Sequence, residues 1–335
     1  MNFTALALPG IQTLHPYIPG KPIATLKREL GITGEIIKLA SNENPLGASP
    51  KAVAAVKAAV DTHRYPEGGY ALKQKIAALH GVEMNQIVLG NGSNDILELV
   101  ARVFLHPAVN AVFSDYAFAV YPIVTQAVGA DIRLAPSRPL TDAQPYGYDL
   151  ATLAQTINAQ TRVVYVANPN NPTGTWLAPD ALEAFIQQQR QDVLIVLDEA
   201  YTEYMPTHLR PDVNRWLQAY PNLILSRTFS KIYGLASLRI GYGVMNAEVA
   251  DLLNRTRQPF NVNSLALVAA EAALDDHEFV AASVAMNTAG LAQLTAGLQA
   301  LGLQVFPSAA NFVTFDCAPR GVSDAGIINQ KLLQQ

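Results

Sequence analysis

Cysteine is almost missing: Cys317 stands alone in 335 residues, so no disulfide can form within the chain, and this usage suits a reducing cytoplasm. Histidine is nearly as scarce, with six residues scattered without metal-ligand spacing, and no metal is expected. Lysine and arginine total 23 against 27 acidic residues, a formal net charge of −4 with a pI near 5.9. With no basic run interleaved with aromatics, a nucleic-acid footprint is not indicated. No segment approaches about eighteen uninterrupted apolar residues, and Met1 to Leu14 has no positive leader before its short apolar stretch, so neither membrane spanning nor secretion is expected. A Gly-x-Ser-x-Gly elbow is also absent, which leaves serine-hydrolase chemistry without support.

What the chain does have is apolar bulk. Half of it is hydrophobic, enough for a large core and about two domains. Residues 1–40 carry Pro9-Gly10, Pro19-Gly20 and Pro22 and read as an arm with one short helix around Ala24 to Leu30. Ser49-Pro50 opens a helix with a favourable cap and a proline at its first position. From Gln86 onward, short β-rich runs alternate with helical stretches, predicting a mostly parallel sheet with helices on both faces. The expected strands are Gln86 to Leu89, Asn110 to Ser114, Asp131 to Ala135, Arg162 to Ala167, Val193 to Leu197, Asn222 to Thr228 and Gly241 to Met245. After Asn263 the texture changes to long helix, Ser264 to Asp275 and Asp276 to Leu301. Strand-like Gln304 to Pro307 and Asn311 to Asp316 follow, then a helix near Asp324. That change predicts a second, smaller domain.

Ligands of such sheets gather beyond the carboxyl ends of the strands, and the chemically loaded phrases fall there. Lys231 sits in Ser226-Arg227-Thr228-Phe229-Ser230-Lys231. Taken alone it reads more readily as a surface lysine after a strand. Lysine, however, is the side chain that forms an imine with an aldehyde, and Thr228, Ser230 and Arg239 could converge on a phosphate nearby. Asp198 closes the apolar run Val193 to Leu197, where a carboxylate needs a buried partner; a pyridinium N–H would serve, and so would a helix cap. Tyr201 and Asn171 could reach a ring oxygen from adjacent turns. Gly90-Asn91-Gly92-Ser93-Asn94 lies between a strand and a helix, whose first N–H groups make an anion site. Its glycine spacing lacks the third glycine of a dinucleotide fold, so a nicotinamide dehydrogenase is only a remote alternative. Tyr116, after the second strand, could stack on a ring face or belong to the core. Together these residues suggest a lysine awaiting pyridoxal phosphate.

With those residues in place, the chain resembles the fold type I pyridoxal phosphate enzymes, and within them the histidinol-phosphate aminotransferases. The resemblance rests on Leu39-Ala40-Ser41-Asn42-Glu43-Asn44-Pro45-Leu46-Gly47, Arg64-Tyr65-Pro66, Asn168-Pro169-Asn170-Asn171-Pro172-Thr173-Gly174, Asp198-Glu199-Ala200-Tyr201 and the segment from Lys231 to Arg239. It implies an α/β fold: a large domain with a mostly parallel seven-stranded sheet over 41–263, a smaller α+β domain over 264–335 that is cut short, and an arm over 1–40 that joins the small domain and a dimer interface. It implies Lys231 as the Schiff-base lysine, Asp198 as the pyridinium partner, Asn171 and Tyr201 as ring-oxygen donors and Tyr116 as the stacking ring. Ser93, Asn94, Thr228, Ser230 and Arg239 would hold the phosphate, and Tyr65 would reach it from the neighbouring subunit of a homodimer. Tyr17 and Asn42 match positions near the substrate.

Two departures from the family pattern stand out. Ser93 is followed by Asn94 and Asp95 rather than by an acidic pair, and the sequence stops at Gln335, where family members continue through a strand carrying one arginine and a further strand carrying another that clamps the substrate's anionic group. The expectation is therefore a piece of a longer product. The implied reaction is transfer of an amino group between L-histidinol phosphate and 2-oxoglutarate. The alternatives are an aminotransferase of aromatic or other amino acids, a decarboxylase of a phosphorylated amino acid, or a cofactor-binding protein with little turnover.

Overall fold

The computed structural model describes residues 2–61 and 63–334; Met1 and Gln335, the outer limits of the expected arm and small domain, lie outside the described residues. Seven strands form the central sheet: β1 (Ile87–Gly90), β2 (Asn110–Ser114), β3 (Asp131–Ala135), β4 (Thr161–Ala167), β5 (Leu194–Asp198), β6 (Leu223–Thr228) and β7 (Gly241–Val244). Their spatial order is β1-β7-β6-β5-β4-β2-β3, with β7 antiparallel to both its neighbours and every other pairing parallel. The expected strands are each present to within one residue at either end. Gln86 falls out of the first because Glu83 and Gln86 form a capping box around the 3₁₀ turn Met84–Gln86, which spends that backbone before β1 begins.

The central strands are buried along nearly their whole length, and the edge strand β3 is mostly exposed. Helices on both faces explain this, since parallel strands covered twice read as continuous apolar runs. Ser49 caps the helix Pro50–Ala58 by accepting from Ala52 N, and its hydroxyl also donates to the buried Asp276 at 2.5 Å. This ties the start of the large sheet's helical cover to the chain 227 residues later.

Register then assembles a site. Ala167, Asp198 and Ser226 are paired neighbours at the ends of β4, β5 and β6. Gly241, the first residue of antiparallel β7, pairs with both Thr228 and Gly90. Five strands thus present the same edge of the sheet to one place.

The arm contains the expected helix, Ile23–Leu30, ended by Gly31 at φ 66, and also a single turn at Pro9–Gln12 and a 3₁₀ turn at Thr4–Leu6. Beyond the sheet lie helices Ser264–Leu274, His277–Ala300 and Ala325–Leu332, and a two-stranded antiparallel sheet of β8 (Gln304–Val305) and β9 (Phe315–Asp316). The strand expected from Asn311 to Asp316 is shorter than its composition suggested. The preceding residues spend their polar groups elsewhere: Ala309 N donates to Gly174 O at 2.9 Å, Asn311 Nδ2 to Asn42 O at 3.0 Å, and Thr314 Oγ1 to Pro172 O.

Among the described residues, one helix, His277–Ala300, is long and apolar enough to cross a membrane by length and composition. Its apolar run is broken by Ser283, Asn287 and Thr288. Ser283 accepts from Asn44 at 2.9 Å, Asn287 donates to Ala310 O at 3.1 Å, and Val280 and Val284 pack beside Tyr201 and Ile232. Those contacts commit one face of the helix to this protein.

Candidate active site

A cavity of about 400 Å³ opens beyond the carboxyl ends of β4, β5 and β6, within the size range of small-ligand sites. Of the expected residues, Lys231, Asp198, Tyr201, Asn171, Ser93, Asn94, Thr228, Ser230, Arg239, Tyr17 and Asn42 all line it. Tyr65 and Tyr116 do not.

Lys231 follows β6 on a turn closed by Gly234 N to Lys231 O at 3.0 Å. Its Nζ donates to the main-chain oxygen of Ser41 at 2.7 Å and stands 5.6 Å from the centre of the Tyr201 ring. Burial, opposed by Glu43 and aided by Arg239 and Lys38, lowers its pKa to about 8. An amine poised there is nucleophilic near neutral pH, as imine chemistry requires.

Asp198 ends β5 and is buried, with Oδ2 accepting from the hydroxyl of the fully buried Tyr121 at 3.0 Å. Its other oxygen, Oδ1, is buried with no hydrogen-bond partner. Desolvation raises the carboxyl to about 6, with the hydrogen bond from Tyr121 opposing the rise. A carboxylate in this state calls for a cationic donor, and a protonated pyridine nitrogen is one.

Tyr201 and Asn171 meet directly. Tyr201 Oη accepts from Asn171 Nδ2 at 3.1 Å and from Asn42 Nδ2 at 3.3 Å, so the phenol keeps its own hydrogen to donate into the cavity. Burial pushes the phenol up to about 12 despite those donors, keeping it protonated. The Asn171 loop is itself fixed, because Asn170 Nδ2 donates to Tyr116 O at 2.8 Å and to Thr173 Oγ1 at 2.9 Å.

The anion end is built from three elements. Ser93 and Asn94 begin the helix Ser93–Phe104, whose first N–H groups are free of intrahelical partners. Thr228 Oγ1 accepts from Ser230 N at 3.1 Å, and Arg239 donates to Ser230 Oγ at 3.4 Å and to Ala236 O at 3.0 Å. Gly92 is required beneath the guanidinium: its φ is +90, and a Cβ there would lie 2.5 Å from Arg239 Nη2. Gly241 lets β7 approach as closely, since its Cβ would lie 2.4 Å from Ser93 N. Two glycines therefore permit one arginine and one helix terminus to share a cradle suited to a phosphate. The unpartnered Asp198 oxygen, the poised amine and this cradle together fit pyridoxal phosphate.

Behind Asp198 lies a cluster that the sequence reading missed. Arg227 bridges the fully buried Glu199 at 2.5 Å and Glu203 at 3.2 Å. Desolvation raises Glu199 to about 7, although Arg227 opposes the rise. The signal was present in Asp-Glu-Ala-Tyr and Ser-Arg-Thr, two charges inside apolar runs at neighbouring strand ends.

Tyr116 is not among the residues that line the cavity. It is 41 % exposed and stacks on Tyr146 with centroids 4.3 Å apart, while Phe118, two residues on, lines the cavity. Tyr-Ala-Phe offered two aromatics, and only the path of the turn into the helix Val120–Ala127 distinguishes them. Tyr65 lies outside the cavity, 79 % exposed, with its ring stacked on Phe260.

Comparison with known proteins places this geometry in context. The chain is 56 % identical to histidinol-phosphate aminotransferase 2 of Pseudomonas aeruginosa, over all of this chain and 89 % of that protein. It is 52 % identical to histidinol-phosphate aminotransferase 1 of Dechloromonas aromatica, over all of this chain and 90 % of that one. Among solved structures, histidinol-phosphate aminotransferase of Sinorhizobium meliloti in complex with pyridoxal-5'-phosphate superposes with a TM-score of 0.84, at 29 % identity, covering 97 % of this chain and 86 % of that one. The family profile of aminotransferase class I and II matches residues 34–335, and the chain belongs to that family.

Proposed function

We propose that this chain is a pyridoxal phosphate-dependent histidinol-phosphate aminotransferase, interconverting L-histidinol phosphate and 2-oxoglutarate with imidazole-acetol phosphate and L-glutamate in histidine biosynthesis. The observation that carries the reading is the meeting in one cavity of the Lys231 amine, the unpartnered Asp198 oxygen and the Arg239 cradle, in a chain so similar to proteins of that name.

Pyridoxal phosphate, when bound, supplies the electron sink for breaking the substrate's Cα–H bond and carries the amino group between the two half-reactions. Every other step falls to the protein's own groups. Lys231 Nζ would hold the cofactor, and as the free amine it would take the proton from the substrate α-carbon. Its pKa, lowered to about 8 by burial, makes the free base far more accessible near neutral pH than it is for an ordinary lysine. Asp198 would accept from the ring N–H and keep that nitrogen protonated. Tyr201, with Asn171 behind it, would donate to the ring oxygen, and Tyr116 would supply the stacking ring, with Phe118 lining the cavity close by. Ser93, Asn94, Thr228, Ser230 and Arg239 would hold the phosphate, and Tyr17 and Asn42, which line the same cavity, would stand at the substrate side.

The same proposal includes a cytoplasmic homodimer in which Tyr65 reaches the neighbouring subunit's phosphate site, and a division near residue 263 into a large and a smaller domain. The exposure of Tyr65, and of Phe3, Leu6, Leu8, Ile18, Ile37 and Leu39 along the arm, supports a covering partner.

The test is a visible absorbance spectrum with pyridoxal phosphate, before and after adding L-histidinol phosphate without keto acid, with Lys231→Ala alongside. The reading expects a Lys231-dependent band that the amine converts. A band that ignores L-histidinol phosphate but responds to an aromatic amino acid would move the assignment to that donor, and no band would sink the cofactor role of Lys231.

A further inference from the structure

The stacked pair Tyr65–Phe260 stands outside both the cavity and the core. The ring centroids are 4.5 Å apart with planes 21° from parallel, although Phe260 is itself 56 % exposed. Phe260 has φ +56, a conformation uncommon for a residue with a side chain and unfavourable unless its surroundings impose it.

The next residue supplies that imposition. Asn261 Nδ2 donates to Asp95 Oδ2 at 2.7 Å and to Leu89 O at 3.2 Å, and Asn261 Oδ1 accepts from Arg257 Nη1 at 2.6 Å. Asp95 belongs to the first turn of the helix that begins at Ser93, and its Oδ2 also accepts from Asn91 N at 2.9 Å. Phe260 is thus fastened through Asn261 to the same turn that forms the anion cradle. A strained, half-exposed aromatic anchored this way gains little by packing within its own chain; what it fixes is Tyr65.

We propose that Phe260 is a positioning residue for Tyr65: it sets the Tyr65 ring so that the phenol serves the phosphate site of a second copy of this chain, and the Asn261–Asp95 hydrogen bond keys that posture to the phosphate helix of its own subunit. This rests on the reading that Tyr65 acts across a dimer.

Cofactor affinity tests it by titrating the visible band with pyridoxal phosphate. The variants are Tyr65→Phe, Phe260→Ala, Phe260→Leu, Phe260→Tyr and the double Tyr65→Phe/Phe260→Ala, each checked for dimerisation by sedimentation. Tyr65→Phe keeps the stack and removes only the hydroxyl. The expected result is that Tyr65→Phe and Phe260→Ala each weaken pyridoxal phosphate binding on the order of tenfold, the strength of one lost hydrogen bond to a charged group. The double variant should be no weaker than either single, and Phe260→Tyr should restore affinity. Phe260→Leu, which keeps bulk without the stack, should behave like Phe260→Ala and stands in if the alanine variant fails to fold. If the losses multiply in the double variant, or Phe260→Leu binds as the wild type does while Tyr65→Phe is impaired, Phe260 does not act through Tyr65 and the proposal is overturned. A dimer in which Tyr65→Phe alone changes nothing would instead overturn the cross-subunit role of Tyr65, and the proposal with it.

Discussion

Lys231 donates to the main-chain oxygen of Ser41 across 190 residues of sequence, and the acceptor lies in a strained place. Ser41 and Asn42 hold φ values of 77 and 53, which cost roughly 1–3 kcal/mol per residue unless the surroundings enforce them. Asn311 enforces one of them by donating to Asn42 O at 3.0 Å. Asn44, two residues further on, donates to Ile232 O at 2.8 Å beside the lysine. The segment leading into the seven-stranded sheet is therefore shaped around the Lys231 amine.

The lowered pKa of Lys231 predicts its reactivity. In the apoprotein, acylation of Lys231 by a small amine-reactive reagent should reach half its plateau near pH 8, about where its charge is lost. Ordinary exposed lysines keep gaining reactivity toward about pH 10.4. Peptide mapping by mass spectrometry across pH 6 to 11 would check this, and a Lys231 profile that follows the surface lysines would contradict it.

Asp198 predicts a stability change with a definite sign. Its folded pKa, raised to about 6 chiefly by burial, lies above the ordinary carboxylate value near 3.9. The folded apoprotein therefore holds a proton that the unfolded chain has released, and this stabilising contribution is lost as pH rises from about 4 through about 6. Asp198→Asn removes that loss. Its apoprotein should gain in melting temperature relative to the wild type as pH rises from 4.5 to 7.5, while its affinity for pyridoxal phosphate falls. Thermal melts of both apoproteins across that range would decide the matter; a constant difference would count against it.

Gly92→Ala should impair phosphate binding through geometry alone. The new Cβ would fall 2.5 Å from Arg239 Nη2 at a backbone φ of +90, so the guanidinium must leave its place. Losing one charge-assisted contact costs about 1.5–3 kcal/mol, roughly tenfold to a hundredfold in affinity. Titration of the visible band would measure it, and an Arg239→Ala background should absorb most of the effect.

Arg227→Met should destabilise the fold by about 3–5 kcal/mol, because it leaves Glu199 and Glu203 buried together without their cation. Urea unfolding of the apoprotein would report this. Replacing Arg227, Glu199 and Glu203 together by Met, Gln and Gln should cost much less than the single change, since no unpaired charge remains. Equal losses in the single and triple variants would show that the cluster acts through packing rather than charge.

Local order determined much of this protein. The run Val193 to Leu197 followed by Asp198 predicts a buried strand ending in a carboxylate, and β5 ends there. The caps at Ser49 and Asn263 and the stop at Gly31 fix helix ends through contacts within a few residues. The order Asn171, Asp198, Tyr201, Lys231, Arg239 at successive strand ends was legible because a parallel sheet places those ends along one edge.

Only the tertiary structure decided the partners. Tyr121 meets Asp198 across 77 residues, and Ser41 meets Lys231 across 190. Arg227 joins two carboxylates on a neighbouring chain segment, and Phe118 rather than Tyr116 reaches the cavity. Helix caps and strand alternation arise from contacts within a turn or two, so the sequence carries them. Which distant oxygen accepts a hydrogen bond, or which of two nearby rings turns inward, depends on how separately formed elements pack, and no local pattern encodes that.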